Sequence, residues 1–194
     1  ETAANVRNTL TDLTGEEVTK DNVNTIHGTC YRLLGGTGYA KKMEDRDYRQ
    51  FQEDTGYKVS PPVYDPRNPG KSTGLVDCLG WLKNTGTSGS NITRFPGWQH
   101  IKLSPARARE TLEVYEEWKQ EQGKLDFADM LTDVLKRKLI PDCDMLLVDE
   151  FQDLTYLQYE IFKMWADKID NVVIAGDPLQ SMYDYCGGSP EFFK

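Results

Sequence analysis

The sequence predicts an α/β protein built on a parallel sheet, because two short apolar runs flank a helical segment toward the end of the chain. The runs MLLVDE, residues 145–150, and NVVIAGD, residues 171–177, are typical of strands buried on both faces. Between them, apolar side chains recur at helical spacing over residues 155–168. A strand, a helix and a strand in this order indicate a right-handed parallel unit.

Both predicted strands end in acidic residues. We expect Asp149 and Glu150 to follow a central strand of the sheet and Asp177 to follow its neighbour. Because the carboxyl ends of neighbouring parallel strands meet at one edge, these acids should lie close together. Open α/β sheets bind their ligands at that edge, so the sequence places a candidate site there.

The beginning of the chain predicts another α/β fragment. Residues 2–10 have a helical pattern, and the segment NVNTIHG, residues 22–28, resembles a strand. Residues 29–34 predict a second helix, which the pair Gly35 and Gly36 should end.

The middle of the chain predicts an inserted subdomain. Residues 35–104 are rich in Gly, Pro, Ser, Thr and Asn, and they contain short amphipathic pieces near residues 46–54 and 75–83. Ser104 is then expected to cap a helix that reaches about residue 122, with Pro105 in its first turn. Another helix should run from Asp126 to Arg137.

The composition is that of a soluble, cytoplasmic protein. The 194 residues contain no apolar run long enough to span a bilayer, and the N-terminus lacks the features of a signal peptide. The four cysteines are far apart, which predicts reduced thiols rather than a zinc site or disulfides. A net charge of −8 argues against binding of nucleic acid through bulk charge, so any such contact must be local.

The adjacent acids in VDEFQD match what nucleotide hydrolysis requires. Asp149 is expected to hold Mg²⁺ and Glu150 to accept a proton from the attacking water. The alternative is an acidic helix N-cap after a core strand, which is common because an acid there complements the helix dipole. The second strand end favours the first interpretation, since in GDPLQSMY, residues 176–183, Gln180 could donate a hydrogen bond to a γ-phosphate.

These two motifs carry a family resemblance. VDEFQDLTYLQ resembles DEFQDTNxxQ of the superfamily 1 DNA helicases of the UvrD/Rep type, and GDPLQSMYDYCGG resembles their GDxxQSIYxFRGA. The resemblance implies a RecA-like P-loop NTPase domain in which Asp149, Glu150, Asp177 and Gln180 surround ATP and Mg²⁺. It further implies that Asp149 holds the metal, that Glu150 activates water, and that Gln180 senses the γ-phosphate.

Other segments extend this resemblance in the expected order. LDFADML, residues 125–131, is similar to the family's DFDDLL segment, and NTIHGTCYRLL, residues 24–34, is similar to TFHSxxxRLL. The start of the chain looks like the tail of motif Ia. The resemblance therefore divides the chain into a partial motor domain, residues 1–35 and 104–194, and a mostly helical accessory subdomain, residues 36–103.

The resemblance also implies DNA-binding residues. In the family, the positions of Thr25, His27, Tyr183 and Tyr185 face single-stranded DNA, where flat rings stack on bases. The alternatives are ordinary packing for the tyrosines and a capping or core position for His27. Two residues depart from the family pattern: Cys186 replaces an arginine and Ile26 a phenylalanine. We expect contact with single-stranded and duplex DNA, and a monomeric fragment.

The string GKST, residues 70–73, does not predict a phosphate-binding loop. Asp65 stands where the loop motif requires its first glycine, and prolines interrupt the segment. The loop would instead precede Glu1, so this fragment is expected to be inactive by itself. Basic residues near the start of the long helix could touch a DNA backbone, although a solvated surface is the simpler interpretation; they are Arg94, Lys102, Arg107 and Arg109.

Three rival interpretations remain from the sequence. The chain could belong to a subunit of a recombination helicase-nuclease, which shares these motifs. It could be a non-enzymatic module that binds DNA or docks a partner. It could also be an unrelated α/β phosphatase or nuclease that uses Asp149 and Asp177 as metal ligands.

Overall fold

The computed structural model describes residues 3–62, 74–177 and 179. These residues form seven α-helices: α1 Ala3–Thr14, α2 Ile26–Leu33, α3 Asp45–Thr55, α4 Leu75–Thr85, α5 Pro105–Glu121, α6 Phe127–Arg137 and α7 Tyr156–Ala166. They also form four short strands: β1 Lys41–Lys42, β2 Lys124–Leu125, β3 Met145–Val148 and β4 Asn171–Ile174. The described part of the chain is thus mixed α/β with short parallel strands. None of its helices combines the length and the apolar character needed to cross a bilayer.

The strands form two parallel pairs. β1 lies beside β2, with Lys41 opposite Lys124. β3 lies beside β4 with Met145 opposite Asn171 and Val148 opposite Ile174, which confirms the predicted parallel unit. Within the described residues β3 has β4 as its one neighbour, so a central position for β3 is not confirmed.

The prediction that β3 and β4 are buried on both faces is wrong for the described residues. Leu146 packs against the helices α2, α6 and α7. Its neighbour Leu147 points to the opposite face and is 64% exposed. On β4, Val173 is 44% exposed. The apolar content of a strand indicates that its faces can be buried, but burial also requires a layer on each side, and the described helices cover one.

The strand predicted over residues 22–28 is also wrong, because α2 begins at Ile26. The Oγ1 atom of Thr25 accepts a hydrogen bond of 3.1 Å from the backbone N–H of Gly28, which is a helix N-cap. This cap starts a helix inside the segment that resembled a strand. The end of α2 is as predicted, since Gly35 adopts a φ of 91° just beyond it.

Three predicted helices are confirmed, and each begins at a capping side chain. Ser104 caps α5, which has Pro105 at its start. Asp126 and Thr155 cap α6 and α7 through reciprocal hydrogen bonds with Asp129 and Gln158.

The buried side chains form two clusters. The first lies between α3, α4 and α5, and the second between α2, α6 and α7. Helix α4 also lies against α6 and α7, so it connects the two clusters. Helix α5 contributes Leu112, Tyr115 and Trp118 to the first cluster, together with residues of the predicted insertion. The division at residues 103 and 104 remains a prediction.

A group of charged side chains lies where the two clusters meet, and we call it the ionic joint: Lys83, Glu116, Lys119, Asp126 and Asp129. The Nζ atom of Lys119 lies 2.5 to 2.6 Å from carboxylate oxygens of all three acids. The Nζ atom of Lys83 lies 2.6 Å from Asp129 and 2.7 Å from Glu116. Burial opposes the charge on Lys119, but the carboxylates outweigh it and raise the pKa of the ammonium. The joint therefore connects α4, α5 and the start of α6 through salt bridges.

Candidate functional site

The ends of β3 and β4 meet at one edge, as the sequence predicts. Beyond the strands, the N–H of Ala175 donates to the carbonyl of Val148 at 2.8 Å, and the N–H of Phe151 donates to the carbonyl of Ala175 at 3.0 Å. These bonds continue the parallel pairing past Asp149 and Glu150. The acid pair and the segment that ends at Asp177 consequently lie side by side.

Both acids of the pair are exposed, and the backbone at Glu150 is unusual. Glu150 has a φ of 52°, in the left-handed region that residues other than glycine rarely adopt. Its N–H donates to Oδ1 of Asp149 at 2.9 Å. The next residue, Phe151, is buried, with its ring 4.7 Å from that of Phe162 on α7. Packing of Phe151 thus supports a strained turn that presents both carboxylates to solvent.

Gln152 connects this turn to the second strand end. Its side-chain Nε2 donates to Oε2 of Glu150 at 2.6 Å, and its Oε1 accepts from the backbone N–H of Asp177 at 3.0 Å. Asp177 in turn accepts from the N–H of Leu179 at 2.9 Å through Oδ1. Sequence reasoning did not predict this connection, because the contact of Gln152 with Asp177 depends on the pairing of β3 with β4.

The exposed carboxylates of Asp149 and Glu150 fit a hard divalent cation such as Mg²⁺, which prefers oxygen ligands and keeps several of its waters. Another group of acids in the described residues, the three of the ionic joint, also lies close enough together to hold a cation. There, however, lysine ammonium groups already lie against the carboxylates. Of the two, the strand edge is the better place for a metal with bound phosphates.

The predicted DNA-binding residues Thr25 and His27 lie at the start of α2. The hydroxyl of Thr25 serves as the helix cap. The ring of His27 packs edge-on against that of Phe127 at 5.7 Å between centroids, and burial lowers its pKa to about 4. The imidazole is therefore neutral at physiological pH.

Phe127 is a surface aromatic residue that sequence reasoning missed. Its side chain is 60% exposed at the first position of α6, and the Nζ atom of Lys42 lies 5.5 Å from the ring centroid. No sequence signal marked this exposure, because Phe127 stands at helical spacing from the buried residues Met130, Leu131 and Val134 and would be expected to share their face. His27, Phe127 and Lys42 together form a surface with an aromatic ring and a cation, which we call the aromatic patch.

Several predicted residues lie outside the described ones: Gln180, Tyr183 and Tyr185, together with the GKST string. Of the basic residues near α5, Arg94 and Lys102 are exposed. Arg107 is engaged by Glu110 at 2.8 Å and lies over the ring of Tyr57. This arrangement agrees with the simpler interpretation of Arg107 as a surface residue.

Comparison with known proteins matches the chain to one family. The family model described as UvrD/REP helicase N-terminal domain matches residues 1–194. A probable DNA helicase II homolog of Mycoplasma pneumoniae is 26% identical over 95% of this chain and 28% of its own length. A putative ATP-dependent DNA helicase of Bacillus subtilis, YjcD, is 31% identical over 87% of this chain and 23% of its own length. DNA helicase II of Haemophilus influenzae is 35% identical over 41% of this chain and 12% of its own length.

The chain therefore spans about a quarter of the first two relatives. The family match covers the acid pair, the Gln152 turn, the aromatic patch and the ionic joint alike. The resemblance found in the sequence is confirmed: this chain belongs to the UvrD/Rep helicase family and aligns over its whole length with the N-terminal domain of that family.

Proposed function

We propose that this chain is part of an ATP-dependent DNA helicase and contributes the acidic side of its nucleotide site. The observation that carries the proposal is the side-by-side placement of the exposed Asp149–Glu150 pair and the strand end at Asp177. Phosphoryl transfer to water requires an anion that binds the metal and a base that accepts a proton from the water molecule. An acidic strand edge can supply both.

In this proposal Asp149 would hold Mg²⁺ and Glu150 would accept the proton of the attacking water. The metal, bound with ATP, supplies positive charge that offsets the charge developing on the phosphates. The exposed carboxylate of Glu150 suits a base that must reach a water molecule. Asp177 would shape the turn that leads toward Gln180, for which the family resemblance suggests contact with the γ-phosphate.

We further propose that the aromatic patch contacts single-stranded DNA. An exposed ring can stack on any base, and Lys42 would lie near the phosphate backbone. His27 would support the ring edge-on, and Thr25 would act indirectly by capping the helix that carries His27. Tyr183 and Tyr185, which match the family's DNA-facing positions, are also proposed to contact DNA. The net charge of −8 makes such a local contact necessary.

The proposed organisation keeps residues 36–103 as an accessory subdomain inserted into a partial motor domain of residues 1–35 and 104–194. The core that α3 and α4 form with α5 supports an accessory unit, and because α5 belongs to the second motor-domain segment in this division, the core also crosses the proposed boundary at residue 104. The fragment is proposed to be a monomer, and the complete helicase to act on single-stranded and duplex DNA.

The test compares ATP hydrolysis by the full-length protein and its Glu150→Gln variant, with saturating single-stranded DNA. The variant should bind nucleotide nearly as well as wild type but hydrolyse it about 10²- to 10⁴-fold more slowly, because it keeps the shape and loses the base. The matched control is Glu160→Gln on α7, whose carboxylate pairs with Lys163 away from the strand edge. Equal ATP turnover in Glu150→Gln and Glu160→Gln would overturn the proposal. So would hydrolysis that single-stranded DNA does not stimulate in wild type and in both variants.

A further inference from the structure

The buried amide of Gln152 touches both halves of the strand edge. Only 2% of Gln152 is exposed, although the exposed acids Asp149 and Glu150 stand shortly before it in the sequence. We propose that Gln152 is a positioning residue that fixes the carboxylate of Glu150 relative to the backbone at Asp177. The inference rests on the proposed function, because it assigns a role toward the residue proposed as the base.

The chemistry of the two contacts determines how the amide is oriented. The backbone N–H of Asp177 can only donate, so the carbonyl oxygen of the Gln152 amide must face it. The NH₂ group then necessarily faces Glu150, which accepts through Oε2. Gln152 therefore holds one carboxylate oxygen of Glu150 at a fixed place, and a flipped amide would lose both hydrogen bonds.

The location of Glu150 explains why such a contact is useful. Its side chain is exposed and has several free torsions, so an unrestrained carboxylate would sample many positions. The hydrogen bond from a buried amide removes most of this freedom at one oxygen, while the group remains open to solvent water. General base catalysis depends on such geometry, and a displacement of about 1 Å can lower a rate by about 10²-fold.

The second contact makes the position of Glu150 depend on the other strand end. The N–H that Gln152 accepts belongs to Asp177, three residues before Gln180. A movement of this backbone would displace the amide and, through it, the Glu150 carboxylate. Gln152 thus provides a direct route by which the segment containing the proposed γ-phosphate contact can align the base.

Three variants of the full-length protein separate this role from a merely structural one. Gln152→Met keeps the length and burial of the side chain but removes both hydrogen bonds. Gln158→Met is the matched control, because Gln158 also uses its amide to cap a backbone N–H, that of Thr155, without reaching Glu150 or Asp177. In Gln152→Glu, a protonated carboxyl group could still donate to Glu150 and accept from Asp177, whereas the ionised form could only accept.

The measurements are ATP turnover with saturating single-stranded DNA and equilibrium binding of a non-hydrolysable ATP analogue. For Gln152→Met we expect kcat to fall between about 10-fold and about 10²-fold, with binding of the analogue within about 2-fold of wild type. Gln158→Met should keep kcat within about 2-fold. For Gln152→Glu the turnover relative to wild type should rise as the pH is lowered from about 8 to about 6, because protonation restores the donor. The relative turnover of Gln152→Met should not change with pH.

Two results would overturn the inference. One is a kcat for Gln152→Met equal to that of Gln158→Met, and the other is a relative turnover of Gln152→Glu that stays flat with pH. Failure of the underlying function would look different, because the wild-type protein would then show no DNA-stimulated hydrolysis, or Glu150→Gln would remain active. An active wild type, an inactive Glu150→Gln and a normal Gln152→Met would refute the role of Gln152 alone.

Discussion

The carboxylates of the ionic joint and those of the strand edge differ in what surrounds them. At the joint, Asp126 and Asp129 are largely buried and lie within about 2.6 Å of lysine Nζ atoms. At the edge, Asp149 and Glu150 face solvent, on a turn held by the buried side chains of Phe151 and Gln152. Both places bring acids together. Buried acids paired with lysines depend on those partners, because loss of one cation would leave a buried charge unpaired, whereas acids left exposed at a supported turn remain available to a ligand.

Asp149→Asn tests the strand edge, and its expected effect on ATP turnover is the largest of these predictions. The side-chain oxygen of the introduced asparagine could still accept from the N–H of Glu150, so the free energy of unfolding of the chain should change by less than about 0.5 kcal/mol. Loss of the anion that would hold the metal should lower ATP turnover of the full-length protein by about 10³-fold, equivalent to about 4 kcal/mol. Urea unfolding and steady-state hydrolysis measure the two quantities. If Asp149→Asn lost much stability but kept normal ATP turnover, Asp149 would be a structural residue, and the contrast between the strand edge and the ionic joint would be wrong.

Lys119→Met gives the next largest effect and tests the joint. Removing this ammonium leaves two buried carboxylates with less compensation, so the free energy of unfolding should fall by about 3 kcal/mol or more. Urea unfolding followed by tryptophan fluorescence measures the change.

The matched control is Lys163→Met, which removes an exposed ion pair with Glu160 and should cost less than about 0.5 kcal/mol. If Lys119→Met and Lys163→Met lose the same free energy of unfolding, the buried ion pairs of the ionic joint matter no more to stability than an exposed pair does.

Phe127→Ala tests whether the aromatic patch is also a site left open for a ligand. Loss of one stacking ring should weaken binding of single-stranded DNA by the full-length protein about 10-fold, equivalent to about 1.4 kcal/mol. Fluorescence anisotropy with a labelled oligonucleotide measures the dissociation constant.

Tyr39→Ala is the control for this variant. Tyr39 is also an exposed ring with a cation nearby, Arg137 at 4.9 Å, but it lies toward the opposite end of α6. Its removal should leave DNA binding within about 2-fold. Equal weakening by both variants would mean that the DNA surface is not confined to the aromatic patch.

His27 gives the smallest expected effect and extends the comparison to a group whose pKa is governed by burial. Because its folded-state pKa is lowered to about 4, the unfolded chain binds a proton between about pH 6.5 and pH 4 that the folded chain does not. Stability should therefore decrease as the pH falls through this window, by about 1 kcal/mol after allowance for partial solvent exposure.

The measurement is urea unfolding of wild type and His27→Gln between these pH values. The glutamine variant should lose this component of the pH dependence, whereas His100→Gln, at an exposed position, should keep it. Identical slopes for wild type and His27→Gln would contradict the assignment.

The parts of the fold that local chemistry determines were predictable from sequence. Ser104, Asp126 and Thr155 each cap a helix through hydrogen bonds within four residues, so the starts of α5, α6 and α7 follow from the sequence. The parallel pairing of β3 and β4 followed from two apolar runs joined by one helix. The edge position of Asp149 and Glu150 followed from that pairing.

The errors concern properties that depend on distant partners. The exposure of Leu147 depends on which layers cover the strand, and nothing in the strand itself specifies them. The role of Gln152 as a connection was missed because its carbonyl contacts Asp177 across the strand pair. The strand expected at residues 22–28 is a different kind of error, because the cap that contradicts it is local: Thr25 accepts a hydrogen bond from the N–H of Gly28.

The short pairing of β1 with β2 has a consequence for how such a chain can change over evolution. Lys41 and Lys42 lie directly beside Lys124 and Leu125, so the two ends of the intervening segment are held about 4.8 Å apart, one strand spacing. A segment whose ends already meet can be lengthened, shortened or exchanged with little effect on the backbone on either side. The reason is that the pairing of β1 with β2 already closes the loop, whatever its length. This pairing would let α3, α4 and α5 vary together, provided that a replacement supplied a lysine to match Asp126 and Asp129 and a helix that packs against α6 and α7 as α4 does.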